Sequence, residues 1–534
     1  MRPPVVEAGQ ELAGIFDGSM YDSAMTNRAF KGGESRDQTS LLPPRIEDYV
    51  GPDNPVRAIE SYVCALDLAK LGFRHAGRGV EVGHPPYDPA DLLKLYLYGY
   101  INQIRSSRRL EREAGRNLEL MWLLKQLKPG YRTIANFRKE NWKALKAANR
   151  SFVLLARELG LVGGTLVAID GALFHGDASK ASIFTRRKLA EQIATLDKEI
   201  EAYGQALEAN DAAETSKQSD ARDGGNDEGG GDIGAKVAAL MAKRSRAQAD
   251  LDGLEAGDER QLSKTDPDAR LLSKGDQTIA GYNVQSAVDE KHKLIVASEV
   301  VNRSDAGHLH TLAKAAKEVL EAETLQVVAD TGYYSSADLK ACEDDGIVAY
   351  VPPFEGNGML EKQGRFSRKD FSYDASADAY RCPAGELLQR TKKRCLGPKA
   401  DQRIINRWEH EDVLERHRTR MQTADEVMRR RSAIVEHPFG TIKCRAGYRH
   451  FLVRGFDKVR GEWSLMALCY NFTRVLNILG FERFVACMAA KLAAFLCLRA
   501  LQPYLNPIRL RLGTFWTNIP LRLSTSRTAP IPAG

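Results

Sequence analysis

The 534-residue chain has no CxxC pair, no dense cysteine framework and no uninterrupted apolar run long enough to cross a bilayer. Each lack removes a class of protein. Eight cysteines (Cys64, Cys342, Cys382, Cys395, Cys444, Cys469, Cys487, Cys497) lie scattered, which excludes a disulfide-stapled scaffold and predicts reduced thiols. The most apolar window, Phe484 to Leu501, is broken by Lys491 and Arg499, so it reads as a packed helix rather than a membrane span. The opening stretch MRPPVVEAGQELAGIFDGSM mixes Pro, Gly and acids and holds no basic-then-apolar leader, so a cytoplasmic location and no membrane partner are expected. Net charge is only +7, but it is unevenly spread: residues 381–534 hold 28 Lys/Arg against 12 Asp/Glu, a net +16, which leaves −9 for residues 1–380. A basic end of this kind attracts phosphates without reading sequence. With 43% apolar residues the chain can build two or more domains around a sizeable core.

Residues 1–40 lack periodicity and are rich in Gly, Ser and Asp, so a disordered arm is expected. A helical domain follows over 41–162. In DPADLLKLYLYGYINQI, Asp88 suits a helix cap and Pro89 the first helical position. A second helix, from near Ser106, displays Arg105, Arg108, Arg109 and Arg112 ahead of an apolar stripe through Leu118, Met121, Trp122 and Leu124. These arginines suit phosphate binding, and equally a solvated face on which Arg109 pairs with Glu113.

TLVAID, residues 165–170, reads as a buried strand ending in Asp170. The stretch 186–260 interrupts the domain as a helical hairpin with a low-complexity centre; its 17 acids and 8 bases over 191–260 mark it as solvated. GYNVQSAVDEKHKLIVASEVV then predicts an antiparallel hairpin, with Tyr282, Val284, Ser286 and Val288 alternating. A helix over 305–320, the strand LQVVAD (325–330), a helix near 335–344 and the strand GIVAYV (346–351) complete a mixed sheet. That order sets the strands ending in Asp170 and Asp330 side by side, at the carboxyl edge where α/β sheets bind ligands.

Two neighbouring buried carboxylates repel unless a cation sits between them, and hard oxygen donors suit magnesium, with manganese as its substitute. A third ligand is needed to hold two ions roughly 3.5–4 Å apart. Glu436, in RRRSAIVEHPFGTIK, is the candidate; Arg429, Arg430 and Arg431 precede it and Lys443 lies two helical turns on if the helix continues. Pro438 leaves that continuation open, and a salt-bridged Glu on a solvent-facing helix is the plainer reading.

The segments VAIDGALF, GYNVQSAVDEKHKLIV, VVADTGYYSSADL and VEHPFGTIK, in that order, resemble the core of bacterial insertion-sequence transposases of the DDE class. LPPRIEDYVGPDNPVRAI and DPADLLKLYLYGYINQIRSSRRLEREAGRNLELMWLL are similar to their helical N-terminal domain, so the resemblance covers about residues 41–480. It implies a ribonuclease H-like α/β core over 163–480, a mixed sheet flanked by helices, interrupted at 186–260 and again at 352–410 before the catalytic Glu. It implies metal and catalytic roles for Asp170, Asp330 and Glu436, and DNA contacts from Lys443 and Arg429–Arg431. It further implies magnesium-dependent cleavage at the element's terminal inverted repeats, strand transfer into target DNA, and a homodimer or higher synaptic assembly.

Two stretches depart from the family pattern. Relatives often carry several closely spaced cysteines before the Glu, where this chain has only Cys382 and Cys395, too few for a four-ligand zinc site, so zinc is not expected. His308, His310 and His175 read as surface or helix-start residues. The basic tail from Phe481 has seven bases, one acid and helix-breaking Pro503, Pro507 and Pro520. A catalytically inactive relative that binds DNA sequence-specifically, and a nuclease that cuts without joining, are the alternatives.

Overall fold

The computed structural model describes residues 45–77, 85–217, 230–257, 259–353, 366, 370–374, 376–388, 408–494 and 496–497. The expected arm (1–40), most of the low-complexity centre of the hairpin, the stretch around Cys395 and the tail beyond 497 lie outside the described residues. Residues 45–51 fall in a unit of their own, with one 3-10 turn over Ile46–Tyr49; the described residues from Pro52 onward fall in a second.

The second unit opens with helices α1 (Val56–Cys64), α2 (Pro89–Ile101), α3 (Ser107–Ala114), α4 (Leu118–Leu123), α5 (Tyr131–Glu140) and α6 (Trp142–Glu158). The Asp88 carboxylate caps α2 by accepting from the Ala90 amide at 2.8 Å, and Pro89 occupies the first turn, as its sequence predicts. The helix expected from Ser106 is instead two. The chain turns at Gly115, and the Asn117 side chain restarts it by accepting from the Glu119 and Leu120 amides at 3.0 and 3.2 Å. The buried stripe is consequently Leu120, Leu123 and Leu124, while Leu118 is exposed.

Strand β1 (Leu166–His175) follows, then β2 (Ile183–Thr185) and the paired helices α7 (Arg186–Lys217) and α8 (Gly230–Ala256). A ladder of β2 with β3 (Gln261–Ser263) closes the base of this helical hairpin. Next come β4 (Arg270–Lys274), β5 (Gln277–Asp289), β6 (Ile295–Val301), α9 (Leu309–Leu320), β7 (Leu325–Val328), α10 (Ser336–Asp344) and β8 (Ile347–Tyr350). The sheet order is β4-β5-β1-β7-β8, with β6 also on β5. Strands β5 and β6 form the predicted antiparallel hairpin, and β1 runs parallel to β7, with Ala168 opposite Val328. Both faces are covered, so the central strands are continuously apolar: Val167, Ile169, Val327 and Ala329 pack with Leu309, Leu312, Ala313 and Ala316 of α9 in one core.

The remaining elements are a small antiparallel sheet of β9 (Ser372–Asp374), β10 (Ala379–Arg381) and β11 (Leu387–Leu388), then α11 (Glu411–Met421), α12 (Asp425–Gly440) and α13 (Phe456–Leu479). Residues 481–494 are helical and bury Phe484 and Met488, in keeping with a packed helix there. No helix among the described residues is long and apolar enough to cross a membrane. The seven described cysteines are free thiols.

Candidate active site

Asp170 does not end its strand. The apolar alternation resumes with Ala172 and Phe174, so β1 runs on to His175, paired with β5 throughout. The carboxylate therefore projects from mid-strand, two residues beyond the last β1 position paired with β7. Asp330 follows the end of β7, where it caps a 3-10 turn by accepting from the Gly332 amide at 3.0 Å.

A lysine brings the two acids to one point. The Lys274 ammonium lies 3.0 Å from Asp170 Oδ1, 3.4 Å from Asp305 Oδ2 and 3.9 Å from Asp330 Oδ2, and donates to the Gly171 carbonyl at 2.7 Å. In register Lys274 pairs with Gln277, nine positions along β5 from the partner of Asp170, Ser286. An unbent hairpin would hold it roughly 30 Å away, so the β4–β5 tip curls back over the sheet. On the same hairpin, a Cβ at Gly281 would stand 2.1 Å from the Phe174 carbonyl oxygen.

Burial raises the Asp330 carboxyl above its usual range; Lys274 opposes this, and Asp170 and Asp305 add to it. For Lys274, burial favours the neutral amine, but Asp170, Asp305 and Asp330 outweigh it and hold the ammonium charged. The ammonium thus offsets part of the charge of the three carboxylates from within the chain.

Glu436 lies on α12, which Ile434 and Val435 pin to the sheet. Its carboxylate is exposed and accepts from the Ser432 hydroxyl. From the same helix Arg431 reaches to 3.7 Å from Asp170 Oδ2. Helix α12 continues through Pro438 and then widens into a π turn over Thr441–Arg445. Lys443, in that turn, donates to the Leu173 carbonyl at 2.8 Å and packs over the Phe174 ring. The structure gathers Asp170 and Asp330; it does not bring Glu436 onto them, and among the described residues no three acids stand at metal-sharing distance.

The arginines differ in their engagement. Arg108, Arg109 and Arg429 are exposed, Arg108 lying over the Tyr131 ring. Arg430 pairs with Glu290 at 2.8 Å. Arg105 donates to the His450 carbonyl at 2.7 Å and stands 3.6 Å from buried Glu462.

Sequence reasoning passed over Lys274, Asp305, Asn283 and Gln285. Asp305 follows apolar β6 by four residues, the same signal that picked out Asp170 and Asp330. Asn283 and Gln285 are polar residues two apart on a strand buried on both faces, and both donate to Asp305 Oδ1 at 2.7 Å.

Antiparallel strands feeding a parallel pair that carries acids on neighbouring strands, with helices on both faces, make the domain a ribonuclease H-like α/β fold. Residues 256–472 match the family model of the transposase DDE domain, and residues 44–140 match that of the transposase domain (DUF772). The two matches together span more than half of the chain, which belongs to the DDE-type transposases. No curated protein matches it. Among solved structures it is similar to the cryo-EM structure of the piggyBac transposase synaptic complex with hairpin DNA, at 8% identity and a TM-score of 0.31, over 89% of this chain and 87% of that one.

Proposed function

We propose that the chain cleaves DNA at the ends of a bacterial insertion sequence and joins the freed 3′ hydroxyls to target DNA. The observation that carries this reading is the meeting of Asp170 and Asp330 on neighbouring parallel strands around one cation, the Lys274 ammonium. Carboxylate oxygens converging on a positive charge are a donor set that fits magnesium or manganese. Asp170 and Asp330 would hold the ion, with Glu436 completing the set from α12. Bound divalent ions supply activation of the attacking oxygen and stabilisation of the leaving one, at both in-line displacements.

The chain's own residues position the DNA. Exposed Arg108, Arg109 and Arg429 offer phosphate contacts, and Lys443 and Arg431 stand nearer the acids. The partners are the terminal inverted repeats and target DNA, paired within a homodimer or higher assembly. Location in the cytoplasm belongs to the same reading.

The test is cleavage and joining, with magnesium, of DNA bearing the repeats that flank the gene. Asp170→Ala and Asp330→Ala are each expected to abolish both products; unchanged activity in either ends the metal-site assignment. Glu436→Gln should do the same, and full activity there removes that residue alone.

A second reading, a catalytically inactive DNA-binding relative, is favoured by the Glu436–Ser432 hydrogen bond and by the Lys274 ammonium standing between the aspartates. Tight, sequence-selective binding with no cleavage under any divalent metal supports it.

A further inference from the structure

Asp305 is more heavily braced than either acid read from sequence. Its Oδ1 accepts from both Asn283 and Gln285, and Gln285 in turn accepts from the Tyr333 hydroxyl. Its Oδ2 is turned to the Lys274 ammonium, so one oxygen is held by the protein and the other faces the cation. This is the arrangement of a ligand oriented by hydrogen bonds behind it.

The backbone next to Asp170 is shaped to admit it. A Cβ on Gly171 would lie 2.2 Å from Asp305 Oδ1, 2.6 Å from Gln285 Nε2 and 2.8 Å from Asn283 Oδ1. At the same spot the Asn283 side-chain oxygen, on a residue 2% exposed, has no hydrogen-bond partner among the described residues. A buried amide oxygen left without a donor costs about 1–3 kcal/mol. A metal-bound water is a donor that would satisfy it.

We propose that Asp305 binds the same divalent cation as Asp170 and Asp330, making three aspartates the ion's protein ligands before Glu436 is counted. The proposal rests on the reading of Asp170 and Asp330 as metal ligands. Lys274 marks the position: its ammonium touches all three carboxylates, and its side chain is 41% exposed at a hairpin tip, so it has room to withdraw. Its contacts of 3.0 to 3.9 Å exceed a magnesium–oxygen distance by roughly 1–2 Å. Among the described residues no three acids stand at metal-sharing distance, so a metal in place of the amine would require the carboxylates to draw in by that much.

The experiment is Mn2+ binding to the full chain without DNA, by calorimetry and electron paramagnetic resonance, with thermal denaturation of the metal-free proteins alongside. Asp305→Asn is expected to weaken Mn2+ binding tenfold or more, within a few-fold of the effect of Asp170→Asn, while keeping a cooperative metal-free transition. Wild-type affinity in Asp305→Asn together with weakened binding in Asp170→Asn overturns the proposal and leaves the Asp170–Asp330 reading standing. Absence of Mn2+ binding in the wild-type chain overturns both. If Asp305→Asn does not fold, Asp305→Glu keeps the charge and sets the carboxylate one methylene further out. A several-fold loss of affinity with the metal-free transition retained supports the assignment, and wild-type affinity overturns it.

Discussion

Lys443 is the residue whose chemistry the fold alters most usefully. Burial, followed by the nearby Lys274 ammonium, pushes its pKa down to about 8, with Asp170 pulling the other way. Between that value and the ordinary 10.5, the unfolded chain holds a proton that the folded chain has released. Stability rises with pH wherever the unfolded state binds more protons. The wild-type protein should therefore gain stability over Lys443→Met as pH is raised from about 8 towards 10.5. Urea denaturation of both proteins at several pH values measures the difference, and a constant gap would show an unshifted lysine. At this scale the sequence was legible where acids terminate or interrupt apolar strands, which is how Asp170 and Asp330 stand out. Asp305 carries the same mark, but three intervening residues separate it from β6. Lys274 was not legible, because its approach to the acids depends on a bend that no local pattern announces.

That bend belongs to the β4–β5 hairpin. Gly281 sits opposite His175 at the end of β1, and a methyl group there would meet three backbone atoms of Phe174, His175 and Gly176 at 2.1 to 2.9 Å. Backbone cannot rotate aside as a side chain can, so Gly281→Ala should cost about 3 kcal/mol, the upper part of the usual overpacking range. It should also pull Lys274 away from the aspartates. Chemical denaturation reads the first effect, and a loss below about 1 kcal/mol would mean that the two strands part easily. Elements with strong local signals were readable: the capped helix α2, the β5–β6 hairpin, the parallel neighbours β1 and β7. The extension of β1 to His175 depends on pairing with β5, more than a hundred residues on, whereas the break at Gly115–Asn117 has a local cause, a glycine followed by an Asn cap, that the apolar stripe through Leu118 obscured. Pro438 shows the limit from the other side. Its sequence leaves helix continuation open, and packing of Ile434, Val435 and Phe439 carries the helix through.

Across the whole molecule, helix α13 joins the N-terminal helices to the sheet. Asn471 clasps β6 by accepting from the Ile295 amide at 3.0 Å and donating to its carbonyl at 2.9 Å, and the Trp463 indole donates to Ser298. On the other side Glu462, 0% exposed, accepts from Tyr100 at 3.1 Å and lies 3.6 and 3.7 Å from Arg105 and Arg138. Removing one member of a buried ionic group strands the others, at a cost of about 3–5 kcal/mol. Glu462→Gln should lower stability by that order in denaturant titration, whereas a change under 1 kcal/mol would mean the arginines find other partners. The sequence, through its resemblance to a family, placed the helical region and the core, but nothing in it showed that residue 462 completes the packing of residues 100 to 138. Aromatic contacts repeat the lesson: Tyr62 packs edge-on to Phe152, Phe152 on Phe472, and Phe472 on Phe484. On the ribosome, the first helices to emerge must wait for more than three hundred further residues before their apolar faces find this cover. The nascent chain is thus exposed to chaperones and proteases for most of its synthesis.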